Sequence, residues 1–341
     1  MNKYLRNSRT WLAVLGVLIL LLIPCFVKTT YILHILIMTF YIGAAALSWN
    51  ILGGMTGQVS LGHAAFMGLG AFFTGVLVSK FNISPWISMV LAFFVVGLVS
   101  VAIFYPCFIL KGPYFTLATM AFAETFRNLF LNWDFTGKAQ GILLPLGDDS
   151  FAMMRFAGKV PYYFIALGMF ALIFFIVRTI DRSKLGYAFK TVREDEDTAS
   201  AIGINTTKYK LIATFISTGL VAVCGCFYAQ YISFIDPDIM SLSYSVEFVM
   251  PAIIGGVGTI GGAVLGAFIL TPLSEFLRAN LSSVLPGANL LVYAVVLILV
   301  VRLQPRGIMG WYGTSKLRGK VQHVYSSINE KLSGGVKNGN G

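Results

Sequence analysis

Few side chains in this sequence can do chemistry, and most of them sit where charge is costly. Glu124 and Arg127, three residues apart in AFAETFRN, lie in an apolar run and can meet on one helix face, where each largely neutralises the other. They read as a structural ion pair. Glu247 has no such local partner, which leaves three roles open: a neutral hydrogen-bonded acid, an interfacial residue, or a group facing a solute's ammonium. His34 stands alone in an apolar span and reads as a packed, neutral histidine. Two glycine-rich stretches bring further polar atoms. GGMTGQVSLGH (53–63) offers Gln58, Ser60 and His63, and GGVGTIGG (255–262) offers Thr259. Glycines loosen a helix, and a broken helix at membrane depth can present N–H and C=O groups to a solute's charged ends. The same small residues also let helices pack closely, so both readings stand. None of this is bond-making machinery. There is no Ser/His/Asp, metal or nucleotide constellation with usable spacing, and without a G-x-x-x-x-G-K-[ST] run the chain cannot cradle nucleotide phosphates in that way. An enzymatic role is the reading these residues support least.

The densest charge is elsewhere, in REDEDTASAIGI (193–204), which gathers four consecutive acids in a chain with 14 Asp and Glu altogether. Thr191 and Glu194 match a capping box, so the spacing predicts a helix starting at Val192, with Glu194, Asp195, Glu196 and Asp197 near the positive end of its dipole. Gly203 supplies a left-handed residue to end it after about three turns. Ala199, Ser200 and Ala201 are small enough for another surface to approach. One reading is a solvated loop helix whose acids keep it off the lipid headgroups. An isolated helix this short is marginal in water, however, which favours a protein partner.

The elements that must position these residues are membrane spans. Of 341 residues 57% are hydrophobic and 11% charged, with a mean hydropathy of +0.79, outside the range of soluble domains. Apolar runs fall near 11–27, 31–52, 60–79, 83–110, 114–133, 160–178, 210–232, 245–277 (interrupted) and 289–302. The fold class is therefore all-α, a polytopic transmembrane bundle of 8 to 10 spans with broken or re-entrant glycine-rich helices. The count is 10 if the interrupted run makes two crossings and 8 if it is a re-entrant hairpin. Residues 1–310 form the transmembrane domain, with a polar loop at 179–209, and residues 311–341 form a basic, partly disordered tail. In that tail Val321, Val324, Tyr325, Ile328 and Leu332 share one helical face, compatible with a short helix on the membrane surface.

Lys3, Arg6 and Arg9 put the amino terminus in the cytoplasm, and the seven Lys and Arg between Arg178 and Lys210 put the loop there too. The basic tail, with Arg306, Lys316, Arg318 and Lys320, follows them, so both termini are expected to be cytoplasmic. The net charge of +11 reports this orientation, because the cations sit at the ends of apolar runs rather than on one patch; nucleic acid is not an expected partner. The first run lacks a signal-peptide cleavage site and reads as a retained span. Cys25, Cys107, Cys224 and Cys226 lie in apolar runs and read as packing residues.

Against this background SKLGYAFKTVREDEDTASAIGINTTKYKLIA (183–213) resembles the cytoplasmic loop of permease subunits of ABC importers, in particular those for branched-chain amino acids and their M-type subunit. Gly186, Arg193, Glu194, Glu196, Ala199, Gly203, Ile204, Asn205 and Lys210 match the family pattern, while Tyr187 replaces a usual Arg and Thr198 a usual Ala. GQVSLGHAAFMGLGAF (57–72), IIGGVGTIGGAVLGA (253–267, with Ala263 for a usual Pro) and YFTLATMAFAETFRN (114–128) are similar to further family motifs. The likeness covers roughly residues 30 to 310. It implies a coupling helix carrying Arg193, Glu194, Glu196, Ala199, Ala201 and Gly203, inserted into a groove of a cytoplasmic ATPase. It also implies a second homologous permease, two ATPase subunits that use ATP and Mg, and an extracytoplasmic binding protein. The chain itself would bind no cofactor, would sit in a bacterial or archaeal cell membrane, and would pass leucine, isoleucine or valine. Close relatives handle urea or short amides, and an ion-driven carrier is the competing class. A carrier would normally hold more intramembrane charge than Glu124, Arg127 and Glu247 offer.

Overall fold

The computed structural model describes residues 20–24, 29–110, 112–145 and 147–281, with scattered positions between 294 and 309. Most of the first apolar run, the run at 289–302 and the whole tail lie outside the described residues. Residues 20–24 are helical, and from residue 30 to 281 ten α-helices follow among the described residues: α1 Thr30–Trp49, α2 His63–Phe81, α3 Pro85–Cys107, α4 Pro113–Asn132, α5 Lys159–Asp181, α6 Lys184–Glu194, α7 Glu196–Ala201, α8 Thr206–Ile232, α9 Leu242–Gly256 and α10 Ile260–Leu281. Six are long and apolar enough to cross a membrane: α1 with the π-helical turn that extends it, α2, α3, α5, α8 and α10. This is a multi-pass membrane protein.

Burial sorts the helices into centre and rim. From Ile37 to Trp49 every residue of α1 is buried, as expected of a helix that is apolar all round. It packs against α5, α8, α9 and α10. Around it α8 lies against α2 and α3, and small residues set the spacing: a Cβ at Gly70 would strike the Ala222 backbone, and one at Gly225 the Met67 carbonyl. On the rim, α3 and α5 turn Phe94, Leu98, Leu172 and Phe175 outward, the signature of a surface solvated by hydrocarbon rather than water.

α4 differs from these. It has the length of a crossing but not the apolarity, because Glu124, Arg127 and Asn128 share its surface. A run that sequence treats as one more apolar span is thus a helix with one polar face. α9 is apolar but only 15 residues long.

Calling the α6–α7 side of the bundle the loop end, the far end holds the connection from 133 to 158. It packs on the ends of α2 and α3: Lys80 Nζ donates to the Phe135 carbonyl (2.9 Å), Ser84 Oγ to that of Ala152 (2.6 Å) and Trp86 Nε1 to that of Phe151 (2.9 Å). A small departure from an all-α architecture occurs here, where β1 (Ile142–Leu143) pairs antiparallel with β2 (Phe234–Ile235). Past β2 the chain does not stay at the far end. Ile235 meets Gly75 of α2, Ile239 and Met240 meet Gly68, and Ser245 Oγ accepts the Ala64 N–H at 3.1 Å. Residues 233–241 therefore run back along α2 before α9 begins. The glycine interruption at 256–258 folds α10 antiparallel onto α9, with Gly255 against the Gly262 carbonyl and Gly266 against that of Pro251.

Candidate functional site

The acidic stretch folds differently from its spacing. α6 starts at Ser183, whose hydroxyl accepts the Gly186 N–H, and continues through Thr191 to Glu194. Thr191 bonds back to the Tyr187 carbonyl (3.0 Å), so the expected capping box with Glu194 does not form and no helix starts at Val192. Burial of Phe189 and Val192 keeps those residues in α6. Asp195, in extended conformation, is the true cap and accepts the Thr198 N–H at 2.6 Å. α7 is therefore six residues long instead of about three turns. Only Glu196 and Asp197 lie in its first turn, while Glu194 occupies the unfavourable end of α6.

The other end of α7 behaves as expected. Gly203 has φ +87°, Gly203 N–H donates to the Ser200 carbonyl and Ile204 N–H to that of Ala199, both at 3.0 Å, which is a Schellman closure. Two residues on, Asn205 caps α8 by accepting the Lys208 N–H at 2.9 Å. Glu196 turns inward to an ion pair with Lys210 that ties α7 to α8, and Ala199 of α7 is buried. Ala201, Ile202 and Gly203 face outward, as does Tyr187.

Both glycine stretches are real interruptions. α1 runs on into a π-helical turn, Asn50–Met55, in which the Trp49 indole stands over Gly53 and the Asn50 side chain over Gly54, leaving no room for a Cβ at either. Residues 56–62 then run without helix to α2. Asn50 clasps the second interruption: its Oδ1 accepts the Gly258 N–H (2.8 Å) and its Nδ2 donates to the Thr259 carbonyl (3.2 Å). Gly57 (φ +74°) and Gly258 (φ +79°) face one side chain, that of Arg193. A Cβ at Gly57 would lie 3.2 Å from its Cγ, and one at Gly258 would collide with its guanidinium. Arg193 thus leaves the end of α6 and spans both interruptions. Thr259 lies at this turn but caps it, its hydroxyl donating to the Gly256 carbonyl and accepting the Gly262 N–H.

The remaining sequence candidates fall into three groups. His63 Nε2 lies 2.9 Å from Ser217 Oγ and its Nδ1 3.2 Å from Ser60 Oγ, and Ser217 donates to the Ser48 carbonyl; all are fully buried, so this chain of hydrogen bonds ties α1, α2 and α8 together. Gln58 is half-buried in the non-helical run before α2, its N–H donating to the Leu52 carbonyl. Glu247 meets a partner that no local spacing reveals, Arg278 of α10 (3.9 Å), which also reaches Glu275 (3.4 Å). His34 joins that group, 2.5 Å from the Tyr231 hydroxyl and 4.0 Å from Glu275. Glu124 and Arg127 are 2.8 Å apart, and Arg127 also donates to Asp238 at 2.6 Å. Asn50, Asp238, Ser217 and Arg278 are the site residues that sequence reasoning passed over, and Lys210 entered it only as a match to the family pattern. Asn50 opens the turn that carries the glycine pair, but its clasp on Gly258 and Thr259 joins residues far apart in the chain and leaves no local signal.

The described residues thus form a multi-pass helical bundle in which two interrupted helices are clasped together near a short polar loop helix. Residues 31–301 match the family described as branched-chain amino acid transport system / permease component, and the chain belongs to that family. The high-affinity branched-chain amino acid transport system permease protein LivM of Salmonella typhimurium is 29% identical over 262 residues, 68% of this chain and 60% of the relative. LivM of Escherichia coli K12 is 26% identical over 257 residues with the same coverage. The autoinducer 2 import system permease protein LsrC of Escherichia coli O157:H7 is 22% identical over 289 residues, 81% of this chain and 82% of the relative. The chain spans about 60% of the length of the two LivM relatives. No solved structure matches.

Proposed function

We propose that this chain is the transmembrane permease subunit of an ATP-driven importer that passes branched-chain amino acids delivered by an extracytoplasmic binding protein. The observation that carries the reading is the match to the permease family over residues 31–301, with α7 built as a closed, outward-facing helix at one end of the bundle. In this reading α7 is the coupling helix. Tyr187 and Ile202, 67% and 66% exposed, flank it as apolar contacts for an ATPase groove, and ATP and Mg are used by that ATPase rather than by this chain. A second permease covers α4, since Glu124, Arg127 and Asp238 are open to their surroundings and hydrocarbon cannot solvate them.

In this reading the loop that carries α6 and α7 faces the cytoplasm, as the seven Lys and Arg between Arg178 and Lys210 favour. The broad likeness to LsrC favours a second reading, import of a different small solute through the same architecture. Reconstitution with candidate ATPases, a second permease and a binding protein separates them. ATP hydrolysis rising several-fold with leucine-, isoleucine- or valine-loaded binding protein supports the first, a response to another solute alone supports the second, and solute movement by this chain with no nucleotide present overturns both.

A further inference from the structure

One cavity outside the hydrogen-bonded groups lies where the non-helical entry to α2, the polar helix α4 and the start of α9 converge. It measures about 410 Å³ and is walled by Leu61, Leu117, Met120, Ala121 and Leu242, with Glu124 on its wall. The apolar wall is built from γ-branched leucines and one flexible Met, a surface that takes an aliphatic side chain without demanding a single shape. Glu124 adds a carboxylate that is half exposed, so its bond to Arg127 does not close it off.

The charges beside the cavity do not cancel. Glu124 and Asp238 share the single guanidinium of Arg127, at 2.8 and 2.6 Å, leaving this triad with one negative charge in excess. Two carboxylates on one guanidinium keep acceptor capacity for a further donor, and an ammonium is the donor that suits them best. A free α-amino acid supplies one, together with a carboxylate that Arg127 can take in exchange for part of its present bonding, and the net charge of the site is unchanged by that carboxylate and ammonium together.

We propose that this cavity is a solute site for zwitterionic α-amino acids with branched aliphatic side chains. Glu124 receives the ammonium, Arg127 faces the carboxylate, and Leu61, Leu117, Met120 and Leu242 receive the side chain. The inference rests on the importer reading for its solute class, and it turns a pair that sequence reads as structural into the polar end of a site.

The test uses the full chain in membranes with Ala121→Cys, against the described native cysteines, Cys107, Cys224 and Cys226, which are buried. Leucine at tens of millimolar is expected to slow maleimide labelling at this position at least fivefold, with 4-methylpentanoate, which lacks the amine, giving less than twofold. Adding Glu124→Gln is expected to remove the protection. In the reconstituted complex Met120→Trp, which fills the cavity, should cut leucine uptake per ATP hydrolysed at least tenfold and alanine uptake far less. Unchanged labelling in the presence of leucine, or equal protection by the amine-free acid, overturns the site. Failure of the wild-type complex to couple hydrolysis to leucine uptake overturns the importer reading instead, while leucine protection in membranes would still stand.

Discussion

At the scale of single residues the acidic stretch separates into side chains with different tasks. Glu196 neutralises a Lys210 whose side chain is 5% exposed, whereas Glu194 is exposed at the end of α6. Glu196→Ala removes a counter-charge from a buried ammonium and should cost about 1.5–3 kcal/mol. Glu194→Ala should stay within about 0.5 kcal/mol. Thermal unfolding in detergent distinguishes them: a clear fall in Tm for the first and almost none for the second, with equal falls counting against this division of roles. Arg193→Ala should loosen both interruptions at once, because one side chain covers Gly57 and Gly258. Hydrogen exchange should quicken in segments 53–60 and 255–260 and stay unchanged within α5; a uniform increase across the chain would contradict the local account.

At the scale of elements, most helices were legible from apolar runs. α3, read as 83–110 and found at Pro85–Cys107, needed only hydrophobicity and a proline at its first turn. Where two local signals competed, the reading failed. Thr191 and Glu194 have the spacing of a cap, but Phe189 and Val192 are drawn into the core, and the shorter side chain of Asp195 takes the capping position. The clasp by Asn50 was out of reach for another reason: it joins residues more than 200 positions apart, and no local pattern reports such a contact. The α9–α10 pair yields a test of close approach. Gly266→Leu drives a side chain into the Pro251 carbonyl and should destabilise by about 1–3 kcal/mol or more. Gly168→Ala on α5, where a Cβ meets nothing within 4 Å, should be neutral or stabilise by about 0.5–1 kcal/mol.

At the scale of the whole molecule, the proposed sidedness rests on where the cations lie. A cysteine at Ser200 in α7 and one at Asp148 in the 133–158 connection should react with an impermeant maleimide from opposite faces of the membrane, with Ser200→Cys reached only from the cytoplasm. Labelling of both from one face would undo this sidedness. Length also differs from helix to helix. With 27 residues α8 rises about 40 Å, and with 15 residues α9 rises about 22 Å, against a hydrocarbon core of about 30 Å. The shortfall at α9 is made up by the peptide 233–241, sheltered along α2. That peptide is itself fixed, with Ile235 paired in β2 and Ile239 and Met240 buried against Gly68, so a change of bilayer thickness reaches this stretch as disturbed packing, whereas the neighbouring rods answer it by tilting.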